Sequence, residues 1–255
     1  MIYPIILRRL LPTLGFAKTV RILGFISLAS AIVAIPILRQ GRVVHTEKPR
    51  RFLDIAAFAE IPYLVYNIGG FLNFLGWYVP FVYMPIYAES HLHASTANAF
   101  DLIAYANAAT FGGRLLSALA AQKVGVMTPW TICTFASGTV CCAWVAVSTL
   151  GGMIAFSILY GFFSGALTSL PTAILPYVSP KDLLGTRMGM TYAIAGTAGL
   201  IGSPIAGSLQ NLKSENFMGL QLFCGIVLLS GACCQLIFWW LIREKLASSA
   251  ARGAD

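Results

Sequence analysis

An arginine inside an apolar stretch is the most unusual chemical feature of this 255-residue sequence. Helical spacing places Asn107, Thr110 and Arg114 on one face. A charge in hydrocarbon costs at least ~2.5–3.5 kcal/mol, so it normally faces a cavity, a partner or water. An amide, a hydroxyl and a guanidinium on this helical face could bind an anion. Alternatively, the arginine reaches the nearby membrane surface or braces a neighbouring helix, and the residues alone leave both interpretations open.

The composition places the chain in a lipid bilayer. Hydrophobic residues make up 58% of the sequence and charged residues only 10%, whereas soluble domains have roughly 25% charged residues. The net charge of +8 arises from basic residues clustered in short segments between apolar runs. This distribution is typical of membrane-protein loops and does not indicate a nucleic-acid partner. The composition excludes a soluble enzyme.

The six cysteines do not form a recognisable metal or redox motif. All of them lie inside apolar segments, without a C-x-x-C pair and without a nearby His. We therefore interpret them as reduced, apolar side chains and expect no metal and no cofactor. The sequence also shows no nucleophile–base pair that would indicate a membrane-bound enzyme.

Seven apolar segments are long enough to cross a bilayer as helices. The predicted spans cover residues 20–38, 61–88, 98–120, 126–148, 150–176, 185–208 and 217–242. Each is far longer than a transmembrane strand of about 10 residues, which predicts an all-α membrane protein with seven transmembrane helices. We divide the chain into an N-terminal region (1–40), a basic linker (41–58), a six-helix bundle (59–245) and a disordered tail (246–255).

The positions of Lys and Arg predict the orientation of these spans. Most of these basic residues fall on the same side of the membrane as the linker, which predicts a cytoplasmic linker and a cytoplasmic C-terminus. Arg8, Arg9, Lys18 and Arg21 contradict this pattern, because the same solution places them outside. The conflict leads us to expect further helices upstream of Met1.

Polar and aromatic side chains recur on one face of several predicted helices. Tyr66 belongs to such a stripe in the first helix after the linker, with Asn73 at its edge, and Tyr160 belongs to another stripe. We add these three to Arg114, Asn107 and Thr110 as candidate substrate-binding residues around a lumen. The alternative is that the polar groups bond to their own backbone or to a neighbouring helix.

Five stretches follow one another in an order that resembles a known family. They are residues 68–87, Gly113-Arg114-Leu115, 160–165, 187–190 and 200–207. Together they resemble the major facilitator superfamily, specifically its monocarboxylate-porter-like branch, which is common in fungi. The resemblance implies twelve helices in two six-helix halves. Residues 61–242 would form the second half, residues 20–38 would be helix 6, and the chain would be truncated at its N-terminus.

The resemblance implies a secondary transporter that works by alternating access, with its site between the halves near the midplane. The substrate would be a small organic anion such as a monocarboxylate, and the plasma membrane is favoured over an organelle. Lys123 and Gly125 match the end of a family loop motif and, with Arg187, are candidate gating residues of the cytoplasmic loops. Where proton-coupled symporters of the branch have an Asp four residues before the helix-8 Arg, this chain has Thr110.

Two alternatives to a working transporter stay open at the level of the sequence. The chain could be a truncated product that does not transport alone and associates with the missing half or with another copy, because one half bundle cannot enclose a site. A seven-helix receptor would also have seven spans, although no predicted span contains a Lys for a retinal-type Schiff base.

Overall fold

The computed structural model describes the backbone of residues 2–37, 52–210 and 217–252. Side chains are described for residues 10, 15–35, 52–210 and 217–243. All regular elements in these ranges are helical, which agrees with the predicted all-α class. The chain divides into two compact units, Met1–Pro49 and Arg50–Asp255, and each is described by itself. Residues 41–51 of the predicted linker lie outside the described ranges.

In the described residues of the first unit the chain forms one kinked helix, α1 (Ile2–Ile37). The kink lies at Gly15, whose φ of 73° belongs to the left-handed region that favours glycine. Beyond the kink, the Thr19 hydroxyl donates to the Gly15 carbonyl oxygen at 2.8 Å. The stretch Gly15–Ile35 is long and apolar enough to cross a membrane, and it overlaps the predicted span 20–38.

The second unit is a bundle of helices. Its elements are α2 (Ile61–Trp77), α3 (Val79–Ser90), α4 (Thr96–Val124), α5 (Met127–Ala143), α6 (Leu150–Ser169), α7 (Pro171–Ile174), α8 (Leu184–Ser208) and α9 (Met218–Arg252). Short 3-10 turns cover Ile55–Ala59, Trp144–Ala146 and Leu175–Tyr177. Within the described residues of this unit, the stretches long and apolar enough to span a membrane are Met127–Ala146, Leu150–Tyr177 and Met218–Arg243. Each overlaps a predicted span.

The predicted span 61–88 is divided into two helices. The break falls at Tyr78, just before Pro80, because proline has no N–H to continue the helical hydrogen bonds. The hydroxyl of Tyr160 donates to the Trp77 carbonyl oxygen at 2.6 Å. A side chain of α6 therefore satisfies a backbone acceptor at the end of α2.

The α4–α6 seam is the most extensive helix contact in the bundle, and glycines make it close. A Cβ on Gly113 would lie 1.8 Å from the Phe162 carbonyl oxygen, and one on Gly161 would lie 2.2 Å from that of Ala106. Gly165 also faces the α4 backbone. Gly161 and Gly165 are four residues apart on α6, a spacing of small residues that lets membrane helices approach closely.

Side-chain hydroxyls cap the starts of two bundle helices, α4 and α6. The Ser95 hydroxyl accepts from the Asn98 N–H at the start of α4, and the Thr149 hydroxyl accepts from Gly152 at the start of α6. Gly125 ends α4 with a φ of 84°. Helix α9 continues to Arg252, into the segment 246–255 for which the sequence predicts disorder.

Candidate functional site

A cavity within the second unit brings together two of the predicted binding residues, Tyr66 and Asn73. It has a volume of about 30 Å³, in a recess of about 500 Å³ when the space at its open mouth is included. Helices α2, α5 and α8 and the α6–α7 region contribute to its wall. The lining residues are Tyr66, Asn67, Gly70, Phe71, Asn73, Phe74, Trp130, Leu167, Pro171, Thr172, Leu175, Thr191, Tyr192 and Ala195.

Three polar side chains of this cavity are buried and have unpartnered atoms. Asn67, Asn73 and Trp130 are each at most 3% exposed. Among the described residues, the Oδ1 atoms of both asparagines and the Nε1 of Trp130 have no hydrogen-bond partner. Buried polar groups are normally paired. These atoms have almost no accessible surface, so they lie inside the packed wall of the cavity and not at its inner surface.

The backbone and the neighbouring rings hold these polar side chains in place. The Asn67 amide donates to the Tyr63 carbonyl oxygen at 2.8 Å, which leaves its Oδ1 as the free acceptor. Gly231 of α9 makes room for Asn73, because a Cβ there would lie 2.1 Å from the Asn73 Oδ1. The Trp130 ring centroid lies 5.9 Å from that of Tyr66, in the range of favourable aromatic pairs.

The hydroxyl of Tyr66 already has a partner. It donates to the Pro171 carbonyl oxygen at 2.9 Å, at the first residue of α7. The Tyr66 ring also packs against Phe238, with centroids 5.3 Å apart. Tyr66 is therefore part of the rigid wall of the cavity.

The polar residues predicted on one face of α4, Asn107, Thr110 and Arg114, have different surroundings. The Thr110 hydroxyl is buried in the α4–α6 seam, 2.8 Å from the Ala106 carbonyl oxygen and 3.0 Å from that of Gly161. Arg114 is exposed on α4. The half-buried Asn107 donates to the Ile103 carbonyl oxygen of its own helix at 2.8 Å. The Thr110 hydroxyl is therefore used within the seam while the Arg114 side chain is exposed, and the binding role of these residues stays a prediction.

Tyr160 lies in a different part of the bundle core. It is fully buried, and its ring stacks on Phe156 with centroids 5.8 Å apart and planes at 7°. Its hydroxyl donates to the Trp77 carbonyl oxygen, as described above. Neither Tyr160 nor the α4 residues are among those lining the cavity, so of the six predicted residues only Tyr66 and Asn73 lie at this cavity.

Arg187, predicted as a gating residue, forms a buried ionic cluster at the start of α8. Its Nε donates to Asp54 Oδ2 at 2.9 Å, and its Nη2 donates to Glu60 Oε1 at 2.5 Å. Its Nη1 donates to Glu60 Oε2 at 3.2 Å and to the Val178 carbonyl oxygen at 2.7 Å. The guanidinium lies 5.1 Å from the centre of the Tyr63 ring. This fork geometry ties the segment before α2 to α8.

The other two predicted gating residues lie at the end of α4. Lys123 is exposed in the last turn, and Gly125 ends the helix. Gly125 also lines a recess of about 320 Å³ that includes Tyr177, Trp239 and Arg243. The structure thus places Lys123 and Gly125 near each other. Neither takes part in the hydrogen bonds described for the Arg187 cluster.

The sequence analysis missed the acidic partners of Arg187 and part of the cavity wall. Asp54 and Glu60 lie directly before the first bundle helix, and Arg187 lies near the start of another predicted span. Charges of opposite sign next to two spans were a usable signal for an ion pair. Trp130 had no such signal, because one aromatic residue in an apolar span is usually a core residue. Within the described ranges no group of three His, Cys, Asp or Glu residues is placed to hold a metal.

Comparison with known proteins decides the family. Residues 66–255 match the Major Facilitator Superfamily, a stretch that covers the bundle from the second turn of α2 onwards. The chain belongs to the major facilitator superfamily. It is therefore a multi-pass integral membrane protein of a transporter family and not an enzyme, and this membership does not support the seven-helix receptor alternative.

Several curated fungal members of the superfamily are similar to the chain. It is 34% identical over 229 residues to the MFS-type transporter pynF of Aspergillus niger, covering 89% of this chain and 52% of that protein. It is 36% identical over 233 residues to the aspyridones efflux protein apdF of Emericella nidulans, covering 91% and 47%. The agnestins efflux protein AgnL12 of Paecilomyces divaricatus is 33% identical over 247 residues, covering 96% and 55%. The chain thus spans about half the length of the curated relatives it matches.

Proposed function

We propose that the chain is part of an alternating-access secondary transporter that exports a small organic metabolite. The observation that carries this proposal is the cavity inside a bundle that belongs to the major facilitator superfamily, with buried hydrogen-bonding side chains at its wall. Ligand sites are concave, mostly apolar and contain a few placed polar groups. Export is the direction named for two of the relatives. Tyr66 and Asn73 are the predicted residues that this site retains.

A small organic anion, such as a monocarboxylate, is the second candidate substrate. Arg114 supports it, because an exposed guanidinium on a membrane helix can pair with a carboxylate where the two meet. Asn107, about two helical turns away on the same helix, would assist. Membership of the monocarboxylate-porter-like branch and proton-coupled symport belong to this candidate, and Thr110 in place of an acidic residue argues against coupling at that position.

The working transporter needs a second bundle against which this one can move. We propose that the second bundle is the N-terminal half typical of the superfamily or another copy of this chain. We place the complex in the plasma membrane with the C-terminus in the cytoplasm. In this arrangement Lys123, Gly125 and Arg187 belong to the cytoplasmic gate. A chain that cannot find such a partner would be the non-transporting product that the sequence leaves open.

The test is an efflux assay in yeast cells that express the 255-residue chain alone, or together with the N-terminal half of apdF. Cells are loaded with aspyridones, the compounds in the name of that relative, and the rate of release is measured. We expect faster release only when a second bundle is available. No increase over empty cells in either arrangement would contradict the transporter proposal.

The anion candidate has its own test on Arg114 in the same cells, with radiolabelled benzoate as the probe. We expect Arg114→Ala to reduce benzoate transport at least tenfold and Arg114→Lys to retain part of it, because lysine keeps the charge but not the planar fork. Unchanged rates and unchanged apparent affinity in both variants would remove Arg114 from the substrate path.

A further inference from the structure

We propose that the recess between the end of α4, the start of α5 and the last apolar turns of α9 binds the headgroup of an acidic phospholipid. This recess shares no lining residue with the cavity on which the proposed function rests. The inference therefore goes beyond the proposed function and does not depend on which compound is transported.

The recess lies where three apolar stretches of the bundle begin or end. Met127–Ala146 starts at a residue of its wall, Leu150–Tyr177 ends at a second and Met218–Arg243 ends at a third. Stretches of this length cross the hydrocarbon core of a bilayer, so their terminal residues lie near the lipid headgroups. The recess is therefore at headgroup depth, on the side of the membrane to which α9 leads.

The charge of the recess is positive. Arg243 lines it, and none of the other lining residues in the described part of the chain is Asp, Glu, Lys, Arg or His. The Arg243 side chain is exposed, and among the described residues it has no ion-pair partner. The exposed Lys123 directly precedes the lining residue Val124. A guanidinium forms charge-assisted hydrogen bonds with phosphate oxygens, and basic pockets between membrane helices suit acidic headgroups.

The uncharged side chains of the recess suit the part of a lipid that lies just below its phosphate. Tyr177 and Trp239 are exposed and line the recess. Both residue types are favoured at the membrane interface, where the ring contacts apolar groups and the O–H or N–H reaches polar ones. The half-buried Val126 and Met127 and the buried Ile242 offer an apolar surface against which an acyl chain can pack.

The size of the recess favours a lipid over a free anion. Its volume is about 320 Å³, the volume of roughly ten water molecules. A single phosphate ion would fill only a small part of this space and would leave the apolar wall uncovered. A phosphate attached to glycerol and an acyl chain covers both parts. Acidic lipids are concentrated in the cytoplasmic leaflet, which is the side that we propose for the C-terminus.

The experiment compares phosphatidylserine with a phosphatidylcholine that carries the same acyl chains, because the two lipids differ in net charge. The full 255-residue chain is purified in a mild detergent, and native mass spectrometry gives the dissociation constant of the first lipid molecule bound. We expect phosphatidylserine to bind about fivefold more tightly, the effect of one basic residue near an acidic membrane surface. Millimolar inorganic phosphate is added as a competitor and should not displace the lipid.

Variants locate the binding. Arg243→Gln should abolish the preference for phosphatidylserine, whereas Arg243→Lys should retain most of it because the charge is kept. Lys181→Gln is the matched control, since Lys181 is exposed and does not line the recess. Val124→Trp fills the recess and should weaken phosphatidylserine binding, while Leu119→Trp, at an exposed position of α4 outside the recess, should not. The thermal unfolding midpoint of each variant shows whether it is folded.

Three outcomes would overturn the inference. They are equal dissociation constants for the two lipids, equal effects of Arg243→Gln and Lys181→Gln, and displacement of the lipid by inorganic phosphate, which would assign the recess to a free anion. The transporter proposal is tested separately by efflux. A preference for phosphatidylserine without efflux would refute only transport, and efflux without that preference would refute only the lipid site.

Discussion

Arg187 and Arg114 are two arginines of the same bundle with opposite surroundings. Arg187 is 3% exposed, and its nitrogen atoms donate to two carboxylates and a carbonyl. Arg114 is exposed on the surface of α4. The sequence alone suggests the opposite order of burial, because Arg114 lies deep in an apolar run whereas Arg187 lies near the start of one. The comparison teaches that depth within a hydrophobic segment does not predict burial within a bundle.

The two environments give the arginines different tasks. A buried guanidinium is stable only when its hydrogen bonds and its charge are matched, so Arg187 is a structural tie between α8 and the residues before α2. An exposed guanidinium on a helix face is available to a partner outside this bundle. The following predictions test this division, from the largest expected effect to the smallest.

Replacing Arg187 by Met should have the largest effect on stability. The change leaves the buried Asp54 without its counter-charge, and breaking a buried ion pair in this way costs about 3–5 kcal/mol. Arg114→Met is the matched control and should change stability by less than about 0.5 kcal/mol. Thermal unfolding of both variants in detergent measures the difference. Equal stability of the two variants would show that the Arg187 cluster does not hold the bundle together.

The two sides of α4 can be separated with a pair of adjacent glycines. Gly113→Ala places a Cβ 1.8 Å from the Phe162 carbonyl oxygen, whereas Gly112→Ala has nothing within 4 Å. We expect the first change to destabilise the bundle by about 3 kcal/mol, the upper part of the usual range for overpacking. The second should be neutral or slightly stabilising, because alanine is the better helix former. Unfolding midpoints that coincide would mean that the α4–α6 seam is not as close as described.

The smallest expected difference lies within the Arg187 cluster. Asp54 has a side chain only 6% exposed, while that of Glu60 is 42% exposed. Asp54→Ala removes a charge-assisted hydrogen bond in a buried place and should cost about 1.5–3 kcal/mol. Glu60→Ala should cost about 1 kcal/mol or less, because water can replace a half-exposed partner and screens its charge. A larger loss for Glu60→Ala, measured by the same unfolding assay, would reverse this assignment.

Much of the fold could be predicted from the sequence. The apolar segments have lengths that suit membrane helices and are separated by short polar connections, and this alone predicts the all-α class and most helix positions. Pro80 lies inside the predicted span 61–88, and a proline interrupts helical hydrogen bonds close to where the structure divides this span into α2 and α3.

The candidate site was much less predictable. Thr110 and Arg114 are one helical turn apart, yet one lies in the seam and the other on the surface. The sequence predicts that Tyr160 lines a lumen, but its hydroxyl donates to the carbonyl oxygen of Trp77 at the end of α2. These assignments depend on how each helix is rotated about its own axis, and periodicity in an almost uniformly apolar segment does not define that rotation.

The amino-acid sequence alone predicts a helical membrane protein, because bilayer thickness and backbone hydrogen bonding allow few other uses for long apolar segments. The bundle type was implied by the resemblance of five stretches to the major facilitator superfamily. The packing of the helices determines which polar side chains are used inside the bundle. It pairs Arg187 with Asp54 and Glu60, uses the hydroxyls of Tyr66, Thr110 and Tyr160 for backbone carbonyls, and leaves buried polar atoms of Asn67, Asn73 and Trp130 without a hydrogen-bond partner among the described residues. These outcomes follow from contacts between residues far apart in the chain, which no local pattern encodes.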